Sequence, residues 1–118
     1  MLVNGFMSRQ QDFKKIADSL RGDITIETAR GIVIQGDSLE VLKKIPCHSV
    51  SLILTDPPYH STQKKNICGD TNFKEDALFL EWMERYAQEW ARVLKPNGSL
   101  YCFCSSSMSG RIENIIAP

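Results

Sequence analysis

Asp56, Pro57, Pro58 and Tyr59 stand in a row at the end of the apolar run "SLILT", and their types suit one kind of chemistry. Both prolines lack an N–H and hold φ near about −65°, so the segment is stiff and presents carbonyl oxygens without competing donors. Asp56 adds a carboxylate beside the Pro57 carbonyl. Two acceptors close together match an amino group with two hydrogens to give, and Tyr59 offers a flat apolar face for a ring attached to it. The set describes a pocket for an exocyclic amine on a planar heterocycle. Such an amine is a poor nucleophile because its lone pair is delocalised into the ring. Holding both hydrogens in fixed hydrogen bonds rehybridises the nitrogen and exposes the lone pair to an electrophile. The catalytic work is then positioning and stabilisation of developing positive charge. A nucleobase in a duplex must be flipped out to enter and stack on Tyr59. The competing reading, a rigid turn at a strand end, is weakened by how rarely this tetrapeptide arises by chance.

Such a device needs a strand that ends at Asp56, and the periodicity of the chain supplies one. "SVSLILT" is a short apolar run rich in β-formers, which predicts a buried parallel strand. Before it, Phe13, Ile16, Ala17 and Leu20 fall at helical spacing within Arg9–Arg21. "ITIET" and "GIVIQ" are β-rich and flank Ala29 and Arg30, either as a hairpin or as one bent strand. Asp37 with Glu40 three residues on predicts a helix start leading into Leu39–Lys44.

After the site, "HSTQKKNICGDTNFK", His60 to Lys74, has neither period and reads as a long loop. From Glu75 to Leu94 the helical signal is the strongest in the chain, with Phe79, Met83, Tyr86, Trp90 and Val93 on one face. The aromatic residues of this segment read as core rather than as stacking groups for a base. "KPNG" is expected to end the helix and turn the chain, with Gly98 free to take positive φ. "SLYCFCS" predicts a further strand, and Met108–Ile116 a further helix. Strands alternating with helices imply an α/β fold, a doubly wound sheet of parallel strands with flanking helices. Ligands of such sheets sit outside the carboxyl ends of the strands. Asp37 and Asp56, each following a strand, are therefore expected at one crevice.

Composition narrows the classes. With 42% hydrophobic and 24% charged residues in 118, the chain is that of a globular protein of at most one ordinary domain. Lys+Arg and Asp+Glu both number 14, so a nucleic-acid role needs a local basic patch or a segment outside these residues. Lys64, Lys65 and Lys74 offer such a patch beside the proposed pocket, where phosphates would pass. The alternative for these lysines is an ordinary solvated loop. The start lacks a signal-peptide design and no apolar run reaches membrane-spanning length, which gives a cytoplasmic expectation. The four cysteines, Cys47, Cys68, Cys102 and Cys104, lack metal-site spacing and read as free thiols or small buried hydrophobes.

"GDSLEVLKKIPCHSVSLILTDPPYH" together with "LKPNGSLYCFCSS" closely resembles the amino-methylating DNA methyltransferases, which use S-adenosylmethionine to methylate adenine N6 or cytosine N4. It is similar to the permuted group, in which the D-P-P-Y half comes first. The resemblance covers about Ile32 to Ile116. It implies an incomplete Rossmann-like methyltransferase sheet, with residues 1–30 as a leading helix and strand and 31–118 as a catalytic half. It implies double-stranded DNA as substrate, Asp56 and Pro57 as ligands of the target amine, with Pro58 in the same turn, and Tyr59 as the stacking face. Asp37 is implied near the adenosyl part of the cofactor, a role that can coexist with helix capping. An aspartate at the first motif position favours adenine over cytosine; an RNA base or a protein amide fits Asn-Pro-Pro-Tyr better. His60 stands where the family often has asparagine and is read as a rim residue. The family's aromatic-x-Gly-x-Gly cofactor turn does not occur in the 118 residues. The main cofactor site is accordingly expected on a further segment or a partner chain. An inactive fragment, or the binding half of a split enzyme, is the competing reading of the whole chain.

Overall fold

The computed structural model describes residues 2–60 and 75–117. Their order is α1 (Leu2–Ser19), β1 (Ile24–Thr28), β2 (Gly31–Ile34), α2 (Ser38–Lys44), β3 (Val50–Thr55), α3 (Asp76–Val93), β4 (Leu94–Cys102) and α4 (Ser109–Ile116). The fold class is α/β, and the chain divides into two compact units. Residues 61–74, which carry most of the expected loop with Lys64, Lys65, Lys74 and Cys68, lie outside the described residues. Among those described, no helix is long and apolar enough to cross a membrane.

The first unit comprises the residues up to Ser51 and Arg92–Gly98. Helix α1 begins before the predicted Arg9 and ends at Ser19. Ala17 on it and Leu20 just beyond it are buried. Strands β1 and β2 settle the open alternative in favour of a hairpin: they pair antiparallel through Thr28↔Gly31, Glu27↔Ile32 and Ile26↔Val33, with an irregularity before Ile24↔Ile34. The Thr28 hydroxyl donates to the Gly31 carbonyl at 3.0 Å and accepts from the Arg30 N–H at 3.3 Å, which fastens the turn.

This corrects the expectation that "GIVIQ" joins the parallel sheet. Among the described residues β2 pairs with β1 alone. A connection as short as Ala29–Arg30 brings the chain back antiparallel, whereas a parallel neighbour needs a crossover of a dozen or so residues.

Asp37 is the N-cap of α2, its Oδ1 accepting from the N–H groups of Leu39 at 2.9 Å and Glu40 at 3.2 Å. Two donors that the first helical turn cannot satisfy internally are thereby satisfied. At the other end of α2, the Arg92 guanidinium donates to the carbonyls of Leu42 at 2.7 Å and Ile45 at 2.8 Å. A cation on the last carbonyls also complements the helix dipole. His48, at φ 52°, lies in the left-handed region. Its N–H donates to the Arg92 carbonyl at 3.0 Å, and its Nδ1 lies 2.9 Å from the Leu94 carbonyl oxygen.

Strands β3 and β4 form a two-stranded parallel pair. In the first unit Ser49 N–H donates to the Val93 carbonyl at 2.9 Å; in the second, Phe103 N–H donates to the Thr55 carbonyl at 3.0 Å. "KPNG" does not turn the chain as expected. It lies inside β4, which starts at Leu94 directly after α3. Pro96 is tolerated there because a strand at a sheet edge has N–H groups without ladder partners. Gly98 serves close approach rather than positive φ: a Cβ on it would stand 2.9 Å from the Leu94 Cδ2 and 3.0 Å from the Lys95 carbonyl oxygen.

The second unit comprises Leu52–Ala91 and the residues from Ser99 onward. Its core is the predicted face of α3, with Phe79 at 2%, Met83 at 1% and Trp90 at 4% exposure, joined by Ala87, Met108 and Ile112. Val93, on the same face but in the first unit, is also buried. Each large apolar side chain taken out of water contributes roughly 1.5–3 kcal/mol. Tyr86 is only half-buried and packs between Trp82 and Trp90 with ring centroids 4.7 and 5.9 Å away. Strand β3 is not buried on both faces as predicted: Leu52 and Leu54 are 55% and 67% exposed. Residues two apart share one face of a strand. That face is open along β3, while Leu100 and Cys102 of β4 face α4 across a cavity also lined by Ile112 and Ile116.

Candidate functional site

The site starts where the β3–β4 ladder ends. Thr55 closes β3, and its carbonyl is held by the Phe103 N–H. Asp56 follows at once and is exposed, whereas Pro57, Pro58, Tyr59 and His60 are half-buried. The predicted residues Asp56–Tyr59 therefore form one irregular segment directly after β3, in which the carboxylate meets solvent and the prolines and tyrosine are half-buried. On their buried side Pro57, Pro58 and Tyr59 meet Phe79 of α3, Phe103 and Cys104 after β4, and Met108 and Ile112. Among the described residues the segment thus rests on a largely apolar bed.

His60 is not the rim residue the sequence suggests. Its side chain is only 9% exposed, with Nε2 3.0 Å from Oδ1 of Asp76. Its ring stacks on Phe79 with centroids 5.2 Å apart and planes at 13°. Asp76, the first residue of α3, also accepts from Arg111 of α4, Nη1 to Oδ2, at 2.6 Å. The Arg111 hydrogen bond is the main reason that the Asp76 carboxyl is held below the ordinary carboxylate range; burial opposes it, and the charge of Arg111 and the contact with His60 add to it. Sequence reasoning missed Asp76 and Arg111. The signal for Asp76, an acid at the start of a strongly amphipathic helix, was present, but its partner lies 35 residues on.

Asp37 belongs to the first unit and Asp56 to the second. The capping role of Asp37 is observed directly. Beside the D-P-P-Y turn, burial, and then the neighbouring Cys104 and Asp56, push the Cys102 thiol above its ordinary value. Cys47, Cys102 and Cys104 are free thiols.

The family profile of the N6/N4 methyltransferases, described as DNA methylase, matches residues 50–117, from β3 through α4. The chain belongs to this N6/N4 DNA methylase family. Among curated relatives of the family, it is similar to the DNA adenine methyltransferase YhdJ of Escherichia coli (strain K12), 43% identical over 74 residues, covering 63% of this chain and 24% of that protein. It is also similar to the type II methyltransferase M.BamHI of Bacillus amyloliquefaciens, 36% identical over 76 residues, covering 64% of this chain and 18% of the relative. For the type II methyltransferase M.HpaI of Haemophilus parainfluenzae the figures are 32% over 85 residues, 71% of this chain and 26% of the relative. The chain spans about a fifth to a quarter of the length of these methylase relatives. No solved structure matches it.

Proposed function

We propose that this chain carries the target-amine site of an S-adenosylmethionine-dependent DNA methyltransferase acting on adenine N6. The observation that carries the reading is the placement of D-P-P-Y directly after the last β3–β4 hydrogen bond, in a chain of the N6/N4 methylase family. In this reading the Asp56 carboxylate and the Pro57 carbonyl accept the two amine hydrogens of a flipped base, and Tyr59 stacks on its ring. Pro58 keeps the turn stiff, so the acceptors need little reorganisation as positive charge develops on the nitrogen. The relative YhdJ is named a DNA adenine methyltransferase, which supports adenine over cytosine. Residues 31–118 are the catalytic half of a Rossmann-like domain in this reading, with residues 1–30 leading into it.

S-adenosylmethionine supplies an electrophilic methyl group when bound. The described residues do not complete a site for it. The one candidate, Asp37, has Oδ1 engaged by two backbone N–H groups, and no aromatic-x-Gly-x-Gly turn occurs in the sequence. That missing turn favours a second reading, a target-binding half that acts only with a further segment or a partner chain supplying the cofactor turn.

Transfer of labelled methyl to unmethylated genomic DNA, followed by digestion to nucleosides, tests both. N6-methyldeoxyadenosine that disappears with Asp56→Ala is the expected result. Label on cytosine would overturn the adenine assignment, and label indifferent to Asp56→Ala would overturn the role of the turn. Activity that arises only when a chain bearing the glycine turn is added would favour the second reading.

A further inference from the structure

The amine chemistry proposed for Asp56–Tyr59 leaves His60 without a task, yet its ring is 9% exposed and held from two sides. Three groups fix it. Phe79, 2% exposed, gives its ring a face at 5.2 Å and 13°. Asp76 lies 3.0 Å from Nε2. Arg111 grips the other Asp76 oxygen at 2.6 Å. An ionised carboxylate only accepts, so the shared proton sits on Nε2 of His60 and is donated to Asp76. The chain of contacts runs from α4 through the first residue of α3 to the residue that follows Tyr59. The anchored imidazole thus lies one peptide from the proposed stacking ring.

The turn needs such an anchor. At its start, Asp56 follows a strand residue whose carbonyl is hydrogen-bonded to Phe103. Neither Pro57 nor Pro58 has an N–H with which to tie the middle of the turn to the scaffold. A hold at the far end therefore restricts Tyr59 from the side opposite the strand. Small displacements matter here, because misplacing a reacting group by about 1 Å can cost on the order of 100-fold in rate.

We propose that His60 is a positioning residue for the D-P-P-Y turn, its imidazole pinned between Phe79 and the Asp76–Arg111 pair so that Tyr59 and the Asp56 and Pro57 acceptors are fixed against the scaffold. The proposal rests on the reading of the turn as the amine site, but its structural half stands independently.

The test uses the chain and its variants His60→Phe, His60→Gln and Asp76→Asn. Phenylalanine keeps the ring that stacks on Phe79 and removes the donor. Glutamine places an amide N–H near the position of Nε2 and removes the ring. Asparagine at 76, an exposed position, weakens the Arg111 pair. NMR of the folded chain reads the Tyr59 ring and amide signals. Broadened or shifted Tyr59 signals in His60→Phe and Asp76→Asn, restored toward wild type in His60→Gln, are expected. Tyr59 signals unchanged in both His60→Phe, which removes the donor, and Asp76→Asn, which weakens the acceptor, would overturn the anchor.

Methyl-transfer kinetics then test its consequence. In His60→Phe, kcat is expected to fall by about 10- to 100-fold with KM for DNA within about twofold, and His60→Gln to recover most of it. A KM effect without a kcat effect would overturn the positioning role. Wild-type chain that transfers no methyl group, alone or with a chain bearing the glycine turn, while the Tyr59 signals respond as expected, would sink the methylase reading and leave the anchor standing.

Discussion

The Phe103 N–H donates to the Thr55 carbonyl at 3.0 Å, and the next residue after Thr55 is Asp56. The ladder therefore holds the chain up to the peptide that carries the candidate carboxylate and releases its side chain to solvent. A carboxylate placed this way is fixed through its backbone but remains accessible to a ligand.

Asp56 is exposed, so replacing it should separate activity from folding. Asp56→Ala is expected to change unfolding free energy by no more than about 0.5 kcal/mol, as for other surface changes. Methyl transfer should fall by about 100-fold or more, the scale of losing a preorganised electrostatic partner. Denaturant melts beside a labelled-methyl assay check both halves. A loss of activity that merely follows a loss of fold would contradict the expectation.

Gly98 is crowded, because a Cβ there would stand 2.9 Å from the Leu94 Cδ2 and 3.0 Å from the Lys95 carbonyl oxygen, which is backbone. Gly98→Ala should destabilise the chain by about 1–3 kcal/mol through forced displacement of Leu94 and the Lys95 peptide. A urea midpoint equal to wild type would show that the segment yields without strain.

Arg92 satisfies two carbonyls at the C-terminal end of α2 through two different nitrogens. Arg92→Ala should cost about 1.5–3 kcal/mol, the range for hydrogen bonds to a charged group. Arg92→Lys should recover less than half of that, because a single ammonium cannot reproduce the planar fork. Chemical denaturation of the two variants distinguishes the fork from the charge.

Asp76 makes part of the stability depend on acid. Its carboxyl is held below the ordinary value in the folded chain, chiefly by the Arg111 hydrogen bond. The unfolded chain therefore binds its proton first as pH falls. The stabilising contribution is fully present above the ordinary carboxylate value near pH 3.8 and is lost as pH drops through the lower folded value. Asp76→Asn should flatten the stability profile in that acid window. Thermal melts across the acid range, wild type beside variant, measure the difference.

How much of this was legible depends on the range of the forces involved. The buried face of α3 was readable because Phe79, Met83, Trp90 and Val93 repeat at the helical period. The cap at Asp37 was readable because donor and acceptor lie within three residues. The partner of β2 was not, since alternation marks a strand without naming its neighbour. "KPNG" misled because proline and glycine are turn signals locally, while an unpaired edge accepts proline and crowding demands glycine. Within the site, the motif Asp56–Tyr59 was legible as a contiguous string. The bed beneath it was not, because His60 meets Asp76 across 16 residues and Asp76 meets Arg111 across 35.

Cys102 offers a chemical reporter for the charge on Asp56. Its thiol is raised by burial first, then by Cys104, then by the Asp56 carboxylate. The thiolate is the reactive form, so at pH 8 the partly buried Cys102 should alkylate more slowly than exposed Cys47. Asp56→Asn removes one of the three causes and should speed the labelling of Cys102 while leaving Cys47 unchanged. Iodoacetamide time courses resolved by peptide mass spectrometry read both rates. Acceleration confined to Cys102 would place the Asp56 charge beside this thiol in solution, whereas equal rates in wild type and variant would contradict that proximity.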